Sequence, residues 1–330
     1  MKVIEIKDLW KSFRVRGKVV EAVRGIDLQI EEGEMFGFLG PNGAGKTTTL
    51  RILATLLPPD RGEVSIAGFN LARQPGRVRE CIGYVGQNGG ADVLASGRAA
   101  LVLQARAYGM AKRDAQQRAQ ELIEQFELAP FADRAMRTYS GGQRRRLDLA
   151  LGIVHRPKLL FLDEPSIGLD PQSRARLWDE VRKLHATGTT IFLTTHYLEE
   201  ADNLCDRLAI IDGGKIVAEG TPEQLKQQIA GDAVTLSLSK PDDTLVQARE
   251  LLQAQTFVRE IQADGQKLQV YVERGEEALA TILRLLEGAG ISVQTISLAR
   301  PSLDDVFLCQ TGRSLRESAN DPAQSLRSVR

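Results

Sequence analysis

Cysteine is scarce in this chain: Cys81, Cys205 and Cys309 stand singly among 330 residues. With no CxxC spacing, neither a disulfide framework nor a zinc cluster is expected, and a reducing compartment fits. Net charge is equally lacking, because Lys plus Arg and Asp plus Glu number 43 each. That balance leaves no overall basic footprint of a nucleic-acid binder. No uninterrupted apolar stretch approaches the roughly 20 residues needed to span a bilayer, so the chain is not expected to cross one alone. The N-terminal MKVIEIKDLW alternates charged and apolar residues and lacks the apolar centre of a signal peptide.

Apolar residues, at 42%, suffice for ordinary cores, and the length suggests one large domain plus a smaller one. From Val3 to Ala230 short β-branched runs alternate with helical patterns, the rhythm of an α/β domain with a mainly parallel sheet. Between Arg98 and Glu127 the pattern is helical and rich in Ala, Gln and charge, which predicts an inserted helical subdomain over about 88–150. After Gly231 the order becomes βαββαβ, which predicts a small α+β ferredoxin-like domain over 231–312. The polar tail 313–330 has almost nothing to bury and is expected to be disordered.

Functional groups gather where the predicted strands end, the ligand edge of such sheets. Met35 to Leu39 leads into Gly40-Pro41-Asn42-Gly43-Ala44-Gly45-Lys46-Thr47, which matches GxxxxGK[ST] between a strand and a helix. Such a loop turns backbone N–H groups and a helix N-terminus toward phosphates. Lys46 supplies a point charge near the β- and γ-phosphates, and Thr47 a ligand for Mg²⁺, with Thr48 beside it. The apolar run Leu159 to Leu162 ends in Asp163-Glu164, where Asp163 is suited to hold Mg²⁺ and Glu164 to polarise an attacking water. Ser140-Gly141-Gly142-Gln143 opens a further helix whose free N–H groups form a second anion site, or else a simple N-cap.

The P-loop, SGGQ, LLFLDEP, GLDP and TTH occur in the order and spacing of ABC ATPases, and over residues 1 to about 225 the chain resembles that family. The resemblance implies ATP and Mg²⁺ as ligands and a cassette domain spanning 1–230. It implies that Phe13 stacks on adenine and that Gln87 senses Mg²⁺ and the attacking water. It further implies that Ser140 and Gly142 contact the γ-phosphate held by an opposite subunit, that Asp170 lies in a loop crossing that interface, and that His196 contacts the γ-phosphate. Two departures from the commonest family spelling, Tyr139 before SGGQ and Ser166-Ile167 after Pro165, remove no catalytic group.

The signature YSGGQRRRLDLA, with RPSLDDVF at 300–307 and TGR at 311–313, resembles the daunorubicin-resistance type of exporter ATPase. In that branch the membrane-spanning part is a separate polypeptide. The expectation is therefore an ATPase that dimerises with itself or a related subunit, sits on the cytoplasmic face of the membrane and serves an integral membrane permease. The exported compound would be drug-like, antibiotic or lipid-like. The C-terminal domain is read either as a passive structural unit or as a regulatory or dimer-supporting one, with Asp304, Asp305 and Phe307 as candidate contacts to the other subunit in the second case. The competing expectation is a soluble ABC ATPase acting on nucleic acid or ribosomes. The segment between Lys46 and Ser140 holds no long heptad run and the chain holds one cassette, both of which disfavour it.

Overall fold

The computed structural model describes residues 1–15, 17–87, 93–228, 232–238, 241–264, 267–299 and 302–311. The polar tail 313–330 lies outside the described residues. The chain divides into two compact units that meet in sequence at Glu219 and Gly220.

The first unit contains two sheets. Strands β1 (Lys2–Val15), β2 (Lys18–Glu31), β4 (Arg61–Ile66) and β5 (Phe69–Asn70) form an antiparallel sheet in the order β2-β1-β4-β5. The second sheet runs β10-β9-β3-β8-β7-β6, from β3 (Met35–Leu39), β6 (Ile82–Val85), β7 (Leu159–Asp163), β8 (Thr190–Thr195), β9 (Arg207–Asp212) and β10 (Lys215–Gly220). Its central pairings are parallel, as the βα rhythm predicts. Every residue of β3, β7 and β8 is buried, which explains why these strands read as continuous rather than alternating apolar runs. Phe36, Phe38 and Phe161 each pack a ring against Phe192 at the centre of this sheet.

Helices α1 (Lys46–Leu53) and α2 (Pro75–Cys81) follow β3 and precede β6. Between β6 and β7 stand α3 (Gly97–Ala107), α4 (Lys112–Gln125) and α5 (Gly141–Gly152), with a short 3₁₀ turn at Met136–Thr138. Helix α6 (Pro171–Ala186) joins β7 to β8, and α7 (Leu198–Leu204) joins β8 to β9.

The second unit opens with α8 (Pro222–Gln228) and continues as β11 (Asp232–Leu238), α9 (Pro241–Gln253), β12 (Val258–Asp264), β13 (Lys267–Val272), α10 (Gly275–Gly288) and β14 (Val293–Ala299). Its sheet is antiparallel with order β12-β13-β11-β14, the ferredoxin-like arrangement expected from βαββαβ. Val234, Leu236 and Val270 of the sheet pack with Ile282 and Leu286 of α10 in one core. The boundary lies earlier than the expected 230/231, because α8 packs with α11 (Leu303–Thr311) inside this unit. Phe307 of α11 is fully buried, so its ring is not a surface contact to another subunit. Asp305 accepts from the N–H and hydroxyl of Ser302, an N-terminal cap of α11.

Candidate functional site

Three strand ends of the parallel sheet converge on one group of polar side chains. After β3 the loop turns through Gly45, whose φ of 109° lies in the left-handed region and whose missing Cβ would stand 2.3 Å from the Ala22 carbonyl. This close approach fixes the start of α1 and places Lys46 inside the loop, 4% exposed. Its Nζ donates to the carbonyls of Gly40 at 2.7 Å and Pro41 at 3.0 Å and pairs with Glu164 Oε1 at 3.2 Å. Burial lowers the affinity of this amine for its proton below the ordinary lysine value, although the Glu164 carboxylate opposes that loss.

Thr47, next in α1, donates its hydroxyl to Asp163 Oδ1 at 3.0 Å, and Thr194 of β8 donates to the same oxygen at 2.7 Å. Asp163 is thereby held at the end of β7 by hydroxyls from two neighbouring elements. Glu164 follows with a φ of 46°, uncommon for a residue with a Cβ. The turn lets its N–H reach the backbone and side-chain oxygens of Thr194, each at 3.1 Å. Its carboxylate then lies between Lys46 and His196, whose Nδ1 is 3.1 Å from Oε2. Burial pushes this carboxyl up, but the His196 hydrogen bond and the Lys46 charge together outweigh it and hold it below the usual glutamate value. An ionised carboxylate only accepts, so the proton of this contact belongs to His196 Nδ1.

The other expected residues occupy separate positions. Ser140 caps α5 in a capping box: its hydroxyl accepts from Gln143 N–H at 3.2 Å, and Gln143 Oε1 accepts from Ser140 N–H at 3.0 Å. Ser140 and Gly141 are exposed. Asp170 is the exposed N-cap of α6, accepting from Ser173 N–H at 2.9 Å. Gln87 is exposed just beyond β6. Phe13, 37% exposed on β1, is no core residue, and the Lys11 ammonium stands 5.8 Å from its ring centre. Asn42 and Gly43 are exposed on the P-loop, while Pro41 and Ala44 are buried beneath it and Thr48 is half-buried.

Arg145, not singled out by motif reasoning, organises this edge from below. Its guanidinium donates to the carbonyls of Pro165 at 2.6 Å, Gly86 at 2.8 Å, Asp163 at 3.1 Å and Glu164 at 3.2 Å. One side chain of α5 therefore grips the turn carrying the carboxylates and the segment leading to Gln87. Its sequence signal is the run of three arginines after SGGQ, which does not set Arg145 apart from its neighbours.

Residues 23–167 match the family model described as ABC transporter, and residues 220–311 match the one described as ATP-binding protein DrrA1-3-like, C-terminal domain. The chain is 44% identical over 301 residues to the daunorubicin resistance ATP-binding protein DrrA3 of Streptomyces coeruleorubidus, covering 91% of this chain and 94% of the relative. It is 34% identical over 298 residues to the linearmycin resistance ATP-binding protein LnrL of Bacillus subtilis, covering 89% and 95%. Among solved structures it resembles the dimeric post-hydrolysis state of the ATP-binding cassette MJ0796 bound to ADP and Pi. That match has a TM-score of 0.62 at 25% identity, over 66% of this chain and 98% of the other.

Proposed function

The chain belongs to the ABC transporter family as an ATP-binding, ATP-hydrolysing subunit of the daunorubicin-resistance type, and from that premise we propose that it powers export through a separate transmembrane protein. The observation that carries the catalytic part is the position of Glu164, within 3.2 Å of Lys46 and 3.1 Å of His196 at adjoining strand ends. Kept ionised there, Glu164 accepts the proton of the attacking water. Lys46 and the P-loop backbone hold the β- and γ-phosphates, and His196 orients the γ-phosphate and steadies the base.

Thr47 hydroxyl and Asp163 carboxylate, 3.0 Å apart, offer hard oxygen donors suited to Mg²⁺, with the Gln87 amide as a third. An ion held there would neutralise charge on the phosphates. Phe13 supports the adenine ring. Ser140, Gly142 and Asp170 belong to the surface that closes on a second subunit's nucleotide, which makes the active form a dimer of this chain or a pair with a related one. The exposure of Ser140 and Gly141 at the start of α5 favours that use.

Among the described residues no helix is long and apolar enough to cross a membrane, which supports a separate permease and a peripheral position on the cytoplasmic face. The relatives named for daunorubicin and linearmycin resistance favour an antibiotic-like compound as cargo over a nucleic-acid or ribosomal role. The test is co-expression with candidate integral membrane permeases. The chain should then sediment with membranes, and cells should lose the exported compound faster, an effect abolished by Lys46→Ala. Sedimentation with ribosomes or DNA instead, without membrane attachment beside any candidate permease, would overturn the reading.

A further inference from the structure

Beneath the catalytic edge lies a buried carboxyl that the chemistry above does not use. Glu200, in α7, is fully buried and forms no ion pair among the described residues. Its Oε1 accepts from the indole N–H of Trp178 at 3.0 Å. The hydroxyls of Ser166 and Thr195 also face it, yet Glu200 Oε2 and Ser166 Oγ each lack a partner of good geometry. Two buried polar atoms without partners are costly unless a small adjustment joins them.

The positions of these groups matter. Ser166 is two residues beyond Glu164, and Thr195 immediately precedes His196. Trp178 belongs to α6, the helix capped by Asp170. A second contact between the same helices places the Arg174 guanidinium 4.7 Å from the centre of the Tyr197 ring. Arg174 and Trp178 are four apart on α6, one helical face, and they hold Tyr197 and Glu200 at the start of α7. Thr195 Oγ1 already accepts from Tyr197 N–H at 2.9 Å, so its own hydrogen is available to the Glu200 carboxyl.

We propose that Glu200 is a positioning residue for hydrolysis: through hydrogen bonds it ties the Glu164–Ser166 turn, the Thr195–His196 strand end and helix α6 into one unit. The inference rests on the assignment of Glu164 and His196 above. Oε1 keeps the indole N–H while Oε2 is left to meet the Ser166 hydroxyl, which can donate to a carboxylate or accept from a carboxylic acid. Burial raises this carboxyl above its ordinary value, opposed by the facing hydroxyls of Thr195 and Ser166, the Trp178 indole and the Arg174 charge. Losing the tie lets His196 and Glu164 drift relative to each other, and displacement of about 1 Å at a reacting centre costs on the order of 100-fold in rate.

The test compares Glu200→Ala, Glu200→Gln, Trp178→Phe and Glu164→Gln in the full-length chain, recording kcat, KM for ATP, nucleotide bound per chain and melting temperature. Glu200→Ala should lower kcat by about 10-fold or more, with KM and nucleotide stoichiometry unchanged, since the contacts that hold Lys46 in the P-loop do not include the Glu200 side chain. Unchanged stoichiometry excludes an unfolded fraction as the cause. Glu200→Gln, which keeps an acceptor for Trp178 and a donor for Ser166, should retain most of the rate. Trp178→Phe should fall between them and decides the matter if Glu200→Ala does not fold. A folded Glu200→Ala or Trp178→Phe with wild-type kcat would overturn the proposal, and so would a Glu200→Gln as impaired as Glu200→Ala. Full hydrolysis by Glu164→Gln would instead remove the assignment on which the proposal rests.

Discussion

Replacing Arg145 by Met should damage the protein more than replacing any other arginine of the 144–146 run. The side chain is buried, 6% exposed, and its guanidinium is the donor for four backbone carbonyls. Met fills a similar volume but donates nothing, so the carbonyls of Gly86, Asp163, Glu164 and Pro165 lose these partners. A buried acceptor without a partner costs about 1–3 kcal/mol, and some carbonyls regain water or a neighbour, so a total of about 3–5 kcal/mol is expected. For a unit of this size, 1 kcal/mol corresponds to about 2–4 °C, which puts the fall in melting temperature at about 6–20 °C. Arg145→Lys should lie between, because an ammonium cannot reproduce the planar fork. In the fraction that remains folded, kcat should fall more than ATP affinity, since Lys46 and the P-loop are untouched while the carboxylate turn is loosened. Differential scanning calorimetry with a steady-state ATPase assay reads both. An Arg145→Met protein that melts within about 2 °C of wild type would refute the reasoning.

Lys46→Ala should reduce hydrolysis by at least about 100-fold in a folded protein, because it removes the cation beside the phosphates, as phosphate release would show. The Lys11–Asp60 pair, 2.7 Å apart, holds the Asp60 carboxyl at about 2 through the Lys11 and Ser12 hydrogen bonds. A depressed carboxyl stabilises the fold above its unfolded value, and that contribution disappears as pH falls through about 2. With Asp60 40% exposed, screening limits the contribution. Asp60→Asn should therefore cost no more than about 1 kcal/mol at pH 7, a difference that vanishes in acid unfolding below the folded value. Gly83→Ala should destabilise the first unit by about 1–3 kcal/mol in urea unfolding, because the new methyl would stand 2.1 Å from the Gly152 carbonyl.

Local chemistry made much of this molecule legible. The P-loop and the Asp163-Glu164 strand end announce themselves because glycine geometry and paired carboxylates are written within a few consecutive residues. The buried strands β3, β7 and β8 were readable from apolar runs for the same reason. Arg145 was not, since its importance comes from carbonyls distant in sequence, and an arginine among arginines looks like surface. Phe307 misled because RPSLDDVF gives no sign that its aromatic ring is buried. The unit boundary was placed late for a related reason: α8 looks like a last helix of the cassette, and only its contact with α11 assigns it to the second unit.

The central claim, a nucleotide held by one subunit and closed over by another with Glu164 as the base, is tested most directly by Glu164→Gln. The substitution keeps size and hydrogen-bonding capacity but removes the carboxylate between Lys46 and His196. ATP should still bind and should no longer be consumed, so it stabilises the closed dimer by mass action. Size-exclusion chromatography with light scattering, at several protein concentrations, should show Mg²⁺-ATP shifting the mutant from monomer to dimer while ADP does not. Adding Ser140→Arg should abolish the shift by filling the γ-phosphate contact. Hydrolysis at the wild-type rate would contradict the assigned base, and an inactive mutant that binds ATP yet stays monomeric would contradict the shared site.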